Sequence, residues 1–297
     1  MSRIFLIAIV AISLSFPASS KPLNEMFPDI SDRYTEEAIV LLRDLDFKQG
    51  EIVIGDGIGL LTLNEDFYYL EPSDASYVLT ELWGNPEEQA SLGMIFPADF
   101  TPIDDSWGIN IEYEDIGYVS DEDAGSYDYD DILQEMRDDA AEENKWRREN
   151  SFQTVELVGW AAEPFYDAAT RKLYWAKELA FEGEAQNTLN YNIRVLGRRG
   201  VLVLNFIANM DQLSAVNNDV PRILAMTDFA EGNKYSDFDP SIDTVAAVGI
   251  GGLIAGKVMA KTGIFVVALV LLKKFWFLLF LPLLWLKSVI SKRRNSG

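Results

Sequence analysis

The sequence predicts an α+β fold, an antiparallel sheet with packed helices, followed by a C-terminal transmembrane segment. Three observations carry this. Residues 155–209 alternate with a period of two, as half-buried strands do. Residues 35–45 and 129–148 place apolar side chains at helical spacing. Residues 245–290 are apolar almost throughout and rich in Gly, Leu, Phe and Trp.

Composition narrows the chemistry first. The chain has 297 residues, 48% of them hydrophobic, with no cysteine and no histidine. That excludes a serine–histidine triad, a thiol nucleophile, a Cys/His zinc site and haem on its usual axial ligands. Any catalysis would use Asp, Glu, Lys, Tyr, Ser or Thr, or a bound cofactor, and no cofactor is expected.

Residues 1–20 read as a signal peptide. Arg3 gives a short basic start, an apolar run follows from Ile4 to Leu14, and Pro17 precedes the small Ala18, Ser19 and Ser20. The apolar run is shorter than the ~20 residues of a membrane span, so cleavage after Ser20 is expected. An exported domain with neither cysteine nor an Asn-x-Ser/Thr acceptor fits a bacterial envelope.

Residues 21–243 are expected to form a periplasmic α+β domain. Thr35 caps a helix with Ala38, Leu41, Leu42 and Leu45 on one face, and Gly50 stands just past its end. Strands at 52–54 and 59–63 are joined by Gly55-Asp56-Gly57. A helix opening after Pro72 turns Val78, Leu79 and Leu82 inward and stops at Gly84 and Pro86. Strands at 92–96 and 107–113 follow, the second with Trp107, Ile109, Ile111 and Tyr113 on one face. The charged helix at 129–148 has Ile132, Leu133, Met136 and Ala140 as its apolar stripe. In the strand block, Leu173, Trp175, Leu179 and Phe181 take one parity, and Tyr191, Ile193 and Val195 alternate with Asn190, Asn192 and Arg194. Tyr166 to Thr170 and Gly197 to Gly200 supply its turns. Residues 212–229 read as helical, interrupted near Pro221.

Charge is segregated. Residues 21–243 hold 16 Lys/Arg against all 47 Asp/Glu, a balance of −31, and residues 49–136 contain 22 acids without one Lys or Arg. Such a field repels nucleic acid and anionic membrane surfaces and favours cationic partners or metal ions, and it also keeps a domain soluble. In the most acidic passage, 117–131, a calcium loop fails on spacing: counted from Asp121, Ser126 and Ile132 occupy the positions an EF-hand gives to glycine and glutamate. Ser120 and Asp128 are instead placed to cap helix N-termini.

Residues 244–290 are read as a membrane anchor and 291–297 as a basic tail. A crossing at 245–272 leaves Lys257 and Lys261 in the membrane zone, whereas one at 265–286 leaves Lys273 and Lys274 there. The basic end with Lys292, Arg293 and Arg294 favours a single net crossing. Gly252, Gly256 and Ala260 form a small-residue line through which the membrane segment could pair with a second copy.

Several motifs in order complete the reading. They are Leu82-Trp83-Gly84-Asn85-Pro86, Gly93-Met94-Ile95-Phe96-Pro97, Gly117-Tyr118-Val119-Ser120-Asp121-Glu122-Asp123, Gly159-Trp160, Leu173-Tyr174-Trp175-Ala176-Lys177 and 189–200. Together they resemble the bacterial uncharacterised membrane-anchored protein family (domain of unknown function 2167) across nearly all of the mature chain. The resemblance implies an exported protein at the inner membrane of Gram-negative bacteria. It transfers no catalytic, cofactor-binding or metal-binding residue.

Two function classes remain. The first is a non-enzymatic envelope module that binds an unknown envelope protein or cationic ligand, with Trp83, Trp160, Tyr166 and Trp175 at turns and strand ends, where core packing also accounts for them. The second is a carboxylate-dependent glycan hydrolase, for which Asp121, Asp123 and Asp167 are the candidate acids; Asp167 also reads as a turn residue. Arg194, Arg198 and Arg199 either bind an anionic ligand or offset the acidic surface.

Overall fold

A computed structural model of the chain describes residues 18–86 and 91–256. The strand block expected at 155–209 is present as β7 (Val155–Asp167), β8 (Lys172–Phe181), β9 (Thr188–Leu196) and β10 (Val201–Asn209). Ahead of it come β1 (Ser19–Lys21), β2 (Phe47–Ile54), β3 (Gly59–Leu63), β4 (Phe67–Leu70), β5 (Gly93–Pro97) and β6 (Gly108–Glu114), and behind it β11 (Thr227–Phe229). These pair antiparallel in the order β11-β3-β2-β4-β5-β6-β10-β9-β8-β7, with β1 beside β2. The helices are α1 (Leu23–Met26), α2 (Ile30–Arg33), α3 (Glu36–Leu42), α4 (Pro72–Tyr77, continued by a wider turn to Leu82), α5 (Tyr129–Glu149), α6 (Leu213–Ala225) and α7 (Ile250–Ile254). The α+β class is therefore as expected.

Both faces of the sheet are covered. On one, α6 lays Val216, Val220 and Ile223 against Ile109, Ile111, Ile193, Leu204 and Phe206. The sheet curls enough that Leu61, Leu63 and Phe229 join the same cluster. The other face carries two separate apolar clusters. One gathers Phe27, Phe47, Tyr68, Met94 and Phe96 under α1–α4, with the rings of Phe27, Phe47 and Tyr68 meeting edge to face. The other sets Ile132 of α5 and Ile250, Leu253 and Ile254 of α7 against Leu173, Trp175, Val201 and Val203.

Several local expectations are corrected. Gly50 does not end the first helix. It lies inside β2 with φ of 93°, where β2 passes from pairing Lys48 with β4 to pairing with β3, and glycine takes that conformation without a Cβ clash. α3 ends at Leu42, leaving Leu41 exposed while Leu42 and Leu45 are buried. β4 has no period of two because both its faces are buried, Phe67 and Tyr69 toward one cluster and Tyr68 and Leu70 toward another. α6 runs on through Pro221 and stops at Ala225, and residues 227–229 are a strand. The N-cap predictions hold at Thr35, which accepts from Ala38 N, and at Asp128, which accepts from Asp130 N and Asp131 N. Ser120 accepts only from Glu122 N, and no helix begins there.

The folded domain continues past residue 243. Tyr118 N donates to Thr244 O and Ala246 N to Tyr118 O, each at 2.8 Å, bridging the acidic passage to the following chain. Asp243 accepts from Arg198 Nε at 2.6 Å and Arg199 Nε at 3.3 Å. α7 is then buried in the domain core. Its glycines serve that docking: a Cβ on Gly249 or Gly251 would run into Asp123 or Tyr127. Gly256, at φ of 70°, cannot continue a helix cheaply. A continuous membrane helix from 245 is thus replaced by a docked short helix, and Gly252 and Gly256 do not form a helix-pairing line. Among the described residues no helix is long and apolar enough to cross a membrane. The alternative placement at 265–286, Ala260 and the run from Ile4 to Leu14 lie outside the described residues. β1 spans the expected cleavage point after Ser20.

Two measurements check this account. In chemical denaturation, Gly251→Val costs about 1–3 kcal/mol by overpacking, whereas Gly125→Ala, with nothing near its added Cβ, stays within about 0.5 kcal/mol. The hydrogen bond from Arg198, with help from Asp239 N and Arg199, holds the Asp243 carboxyl down to about 2 from 3.8. A depressed carboxyl stabilises the fold above its unfolded value and loses that contribution as pH falls through the folded one. The melting-temperature gap between wild type and Asp243→Asn is therefore full at neutral pH and closes between pH 3.8 and about 2.

Candidate functional site

Strand register fixes which side chains share the face covered by α5. Lys177, Asn190 and Ile207 form one cross-strand row, and Trp175, Asn192, Asn205 and Asn110 the next. Leu173, Arg194, Val203 and Glu112 follow, then Leu196, Val201 and Glu114. A polar band thus crosses β9, β10 and β6 between the two apolar clusters of that face. Four asparagines in it run against strand propensity, so backbone preference does not explain them.

Arg194 is the centre of the band. Its guanidinium lies 5.1 Å from the Trp175 ring centroid, its Nη2 is 3.7 Å from Glu114 Oε1, and its Nη1 donates to Asn205 Oδ1 at 3.5 Å. Asn110 Nδ2 donates to Glu112 Oε1 at 2.7 Å, and Asn110 Oδ1 accepts from Ser91 Oγ at 2.6 Å. Burial pushes the carboxyls of Glu112 and Glu114 up, against the pull of Arg194. Among the described residues, Trp175 Nε1, Arg194 Nε and Glu114 Oε2 are buried without a hydrogen-bond partner. Two carboxylates face one guanidinium, an arrangement that holds polar groups in place at low dielectric.

Beside the band the face opens into a groove. A cavity of about 440 Å³ lies between α5 and β7–β8, walled by Met136, Ala140, Leu157, Leu179 and Phe181 and carrying Lys177. A second hollow of about 610 Å³ adjoins it across Phe181 and reaches Ile207, Trp83 and Asn85. Burial holds the Lys177 ammonium down to about 8, with Arg194 adding to the push and Glu143 opposing it. Lys177 has no hydrogen-bond or ion-pair partner among the described residues. The groove can therefore receive an apolar body and bond a polar end.

The acids singled out in sequence lie elsewhere. Asp121 accepts from Tyr166 Oη at 2.8 Å and Tyr235 Oη at 3.2 Å and pairs with Arg171. Burial raises its carboxyl, but these partners outweigh burial and leave it below the ordinary value. Asp123 accepts from Tyr127 and from Ile250 N. Asp167 closes its own turn by accepting from Ala169 N and Thr170 Oγ1. Each is engaged in holding the fold. The basic cluster divides: Arg198 and Arg199 clamp Asp243, while Arg194 joins the polar band. Trp83 and Trp160 donate to backbone carbonyls of Pro102 and Tyr129.

Lys177, Asn110, Asn205, Glu112 and Glu114 were not singled out by sequence reasoning. The signal for the last two was present, since Asn110, Glu112 and Glu114 alternate with Ile109, Ile111 and Tyr113.

Two solved structures show distant likenesses. Cyanobacterial PsbP (CyanoP) from Synechocystis sp. PCC 6803 aligns at 6% identity and a TM-score of 0.34, over 60% of this chain and 91% of its own. The Saccharomyces cerevisiae Ran-binding protein Mog1p aligns at 12% identity and a TM-score of 0.32, over 64% of this chain and 97% of its own. Scores of that size carry no argument about function. No curated protein matches the chain by sequence. The sequence model described as "Protein of unknown function (DUF2167)" matches residues 46–284. With well over half of its length matched, the chain belongs to the DUF2167 family of proteins of unknown function.

Proposed function

We propose that this chain is a non-enzymatic binding module of the bacterial envelope, tethered to the inner membrane by its C-terminal apolar run, with the folded domain on the periplasmic side. The observation that carries the binding role is the groove, where apolar walls surround an unpaired Lys177 beside a buried polar band. Pockets of this size with apolar walls and a few convergent polar groups are the usual form of a ligand site. The absence of histidine and cysteine, and the engagement of Asp121, Asp123 and Asp167 in the fold, favour binding over catalysis.

Export and tethering rest on the sequence. The signal-like run before Lys21, the confinement of all acids to residues 25–243, and the basic tail after the apolar run support this orientation.

Two experiments test the proposal. A periplasm-active reporter enzyme fused after Asp243 is expected to be active, and activity only of a cytosol-specific reporter would contradict the orientation. A photocrosslinking amino acid at Leu179 or Ile207 in intact cells is expected to give a discrete adduct that the same residue at Val53, exposed on β2, does not give. Equal or absent adducts at all three positions would contradict a binding role for the groove.

A further inference from the structure

The groove holds a cation in a domain that is otherwise overwhelmingly acidic. Its charged neighbours are few. Asp139, Glu143 and Arg147 reach it from α5, and Arg194 approaches from β9. Glu143 is already paired with Arg147 at 3.4 Å. Lys177 thus sits half-buried beside Met136, Leu157 and Leu179 with no carboxylate in ion-pair contact among the described residues, although Asp139 and Glu143 share the cavity lining, and an incoming anion supplies the direct partner it lacks.

The floor also restricts how an occupant can bind. β8 is hydrogen-bonded to β7 on one side and β9 on the other, so its backbone cannot accept an added peptide strand. The outer edge of β7 is partly taken by Arg137 and Asn144 of α5, which bond to the backbone of Leu157 and Val155, so recognition on this floor falls mainly to side chains. The chain's own tail does not supply the missing charge, because residues 244–297 contain no Asp or Glu and eight Lys or Arg.

We propose that the groove binds a single-chain anionic amphiphile, its head group paired with Lys177 and its aliphatic chain laid along Met136, Ala140, Leu157, Leu179 and Phe181. This rests on the binding-module reading of the same groove. Ala255 lies on the cavity wall, so the C-terminal end of α7 borders the groove. Pairing with an anion raises the Lys177 value from about 8, so affinity is level below that pH and declines as pH climbs through it.

The test uses the full-length chain in membrane vesicles, photolabelled with a diazirine-bearing dodecanoic acid and mapped by mass spectrometry. Adducts are expected on the α5 and β8 segments that line the cavity. Dodecanoate and dodecyl phosphate are expected to compete at least about tenfold better than dodecanol or dodecyltrimethylammonium, and their order relative to each other identifies the preferred head group. Lys177→Met is expected to lower labelling by at least about tenfold, with Lys177→Arg retaining most of it. Ala140→Trp, which fills the cavity and leaves Lys177 in place, is expected to abolish labelling while protease resistance of the domain persists. Equal competition by dodecanol, unchanged labelling of Lys177→Met, or crosslinks joining the groove to residues 257–297 would overturn the proposal. Absence of groove labelling alongside an in-cell adduct at Leu179 would overturn the anionic assignment alone, and absence of both would overturn the binding-module reading with it.

Discussion

A sheet covered on both faces buries most of the side chains on its central strands, and here one of those faces is only partly apolar. The α6 side is filled by Ile109, Ile111, Ile193, Leu204 and Phe206. The opposite side is filled at each end but crossed in the middle by asparagines, Glu112, Glu114 and Arg194. Burying such groups destabilises a fold unless they bond to one another. The guanidinium of Arg194, stacked on Trp175 and facing Glu114 and Asn205, is the contact around which they are arranged. Replacing buried ionic groups by apolar ones of similar volume is often neutral or stabilising, so burial alone does not account for the band.

The same face explains the placement of the peripheral elements. α5 spans the β7–β8 edge and leaves the groove beneath it, while α7 closes the end near Leu173 and Trp175. The acidic passage then has a structural task. Asp121 gathers Tyr166, Arg171 and Tyr235, Asp123 receives the start of α7, and Asp128 caps α5. Negative charge that looked available for metal or catalysis is consumed by caps, turns and a clamp. Inside the groove Lys177 and Arg147 match Asp139 and Glu143, unlike the strongly acidic domain as a whole, so net charge predicts long-range attraction but not the local ligand.

Much of the fold was legible because its signals are local. Alternation in 172–181 and 188–196, the Gly197–Gly200 turn and the caps at Thr35 and Asp128 follow from neighbouring residues alone. What was not legible depends on partners distant in sequence. β4 lacks alternation because two different clusters bury its two faces, and Gly50 reads as a helix stop until β2 is seen to change partners there. Gly252 and Gly256 read as part of a membrane pairing line until Asp123 and Tyr127 are brought against the neighbouring Gly249 and Gly251. The site was half visible: Asn190, Asn192 and Arg194 showed their parity, but only the β9–β10–β6 register joins them to Asn110, Glu112 and Glu114. Lys177 shares the parity of Leu173, Trp175 and Leu179, but nothing local places α5 over it.

An experimental structure of the chain extracted with its surrounding bilayer, without exchange into detergent, addresses the groove most directly. The account predicts elongated density along Leu179 and Phe181 that ends within hydrogen-bonding distance of Lys177 Nζ. An α5 packed down onto β8 with its own side chains filling that space, and Lys177 turned out to solvent, would contradict it.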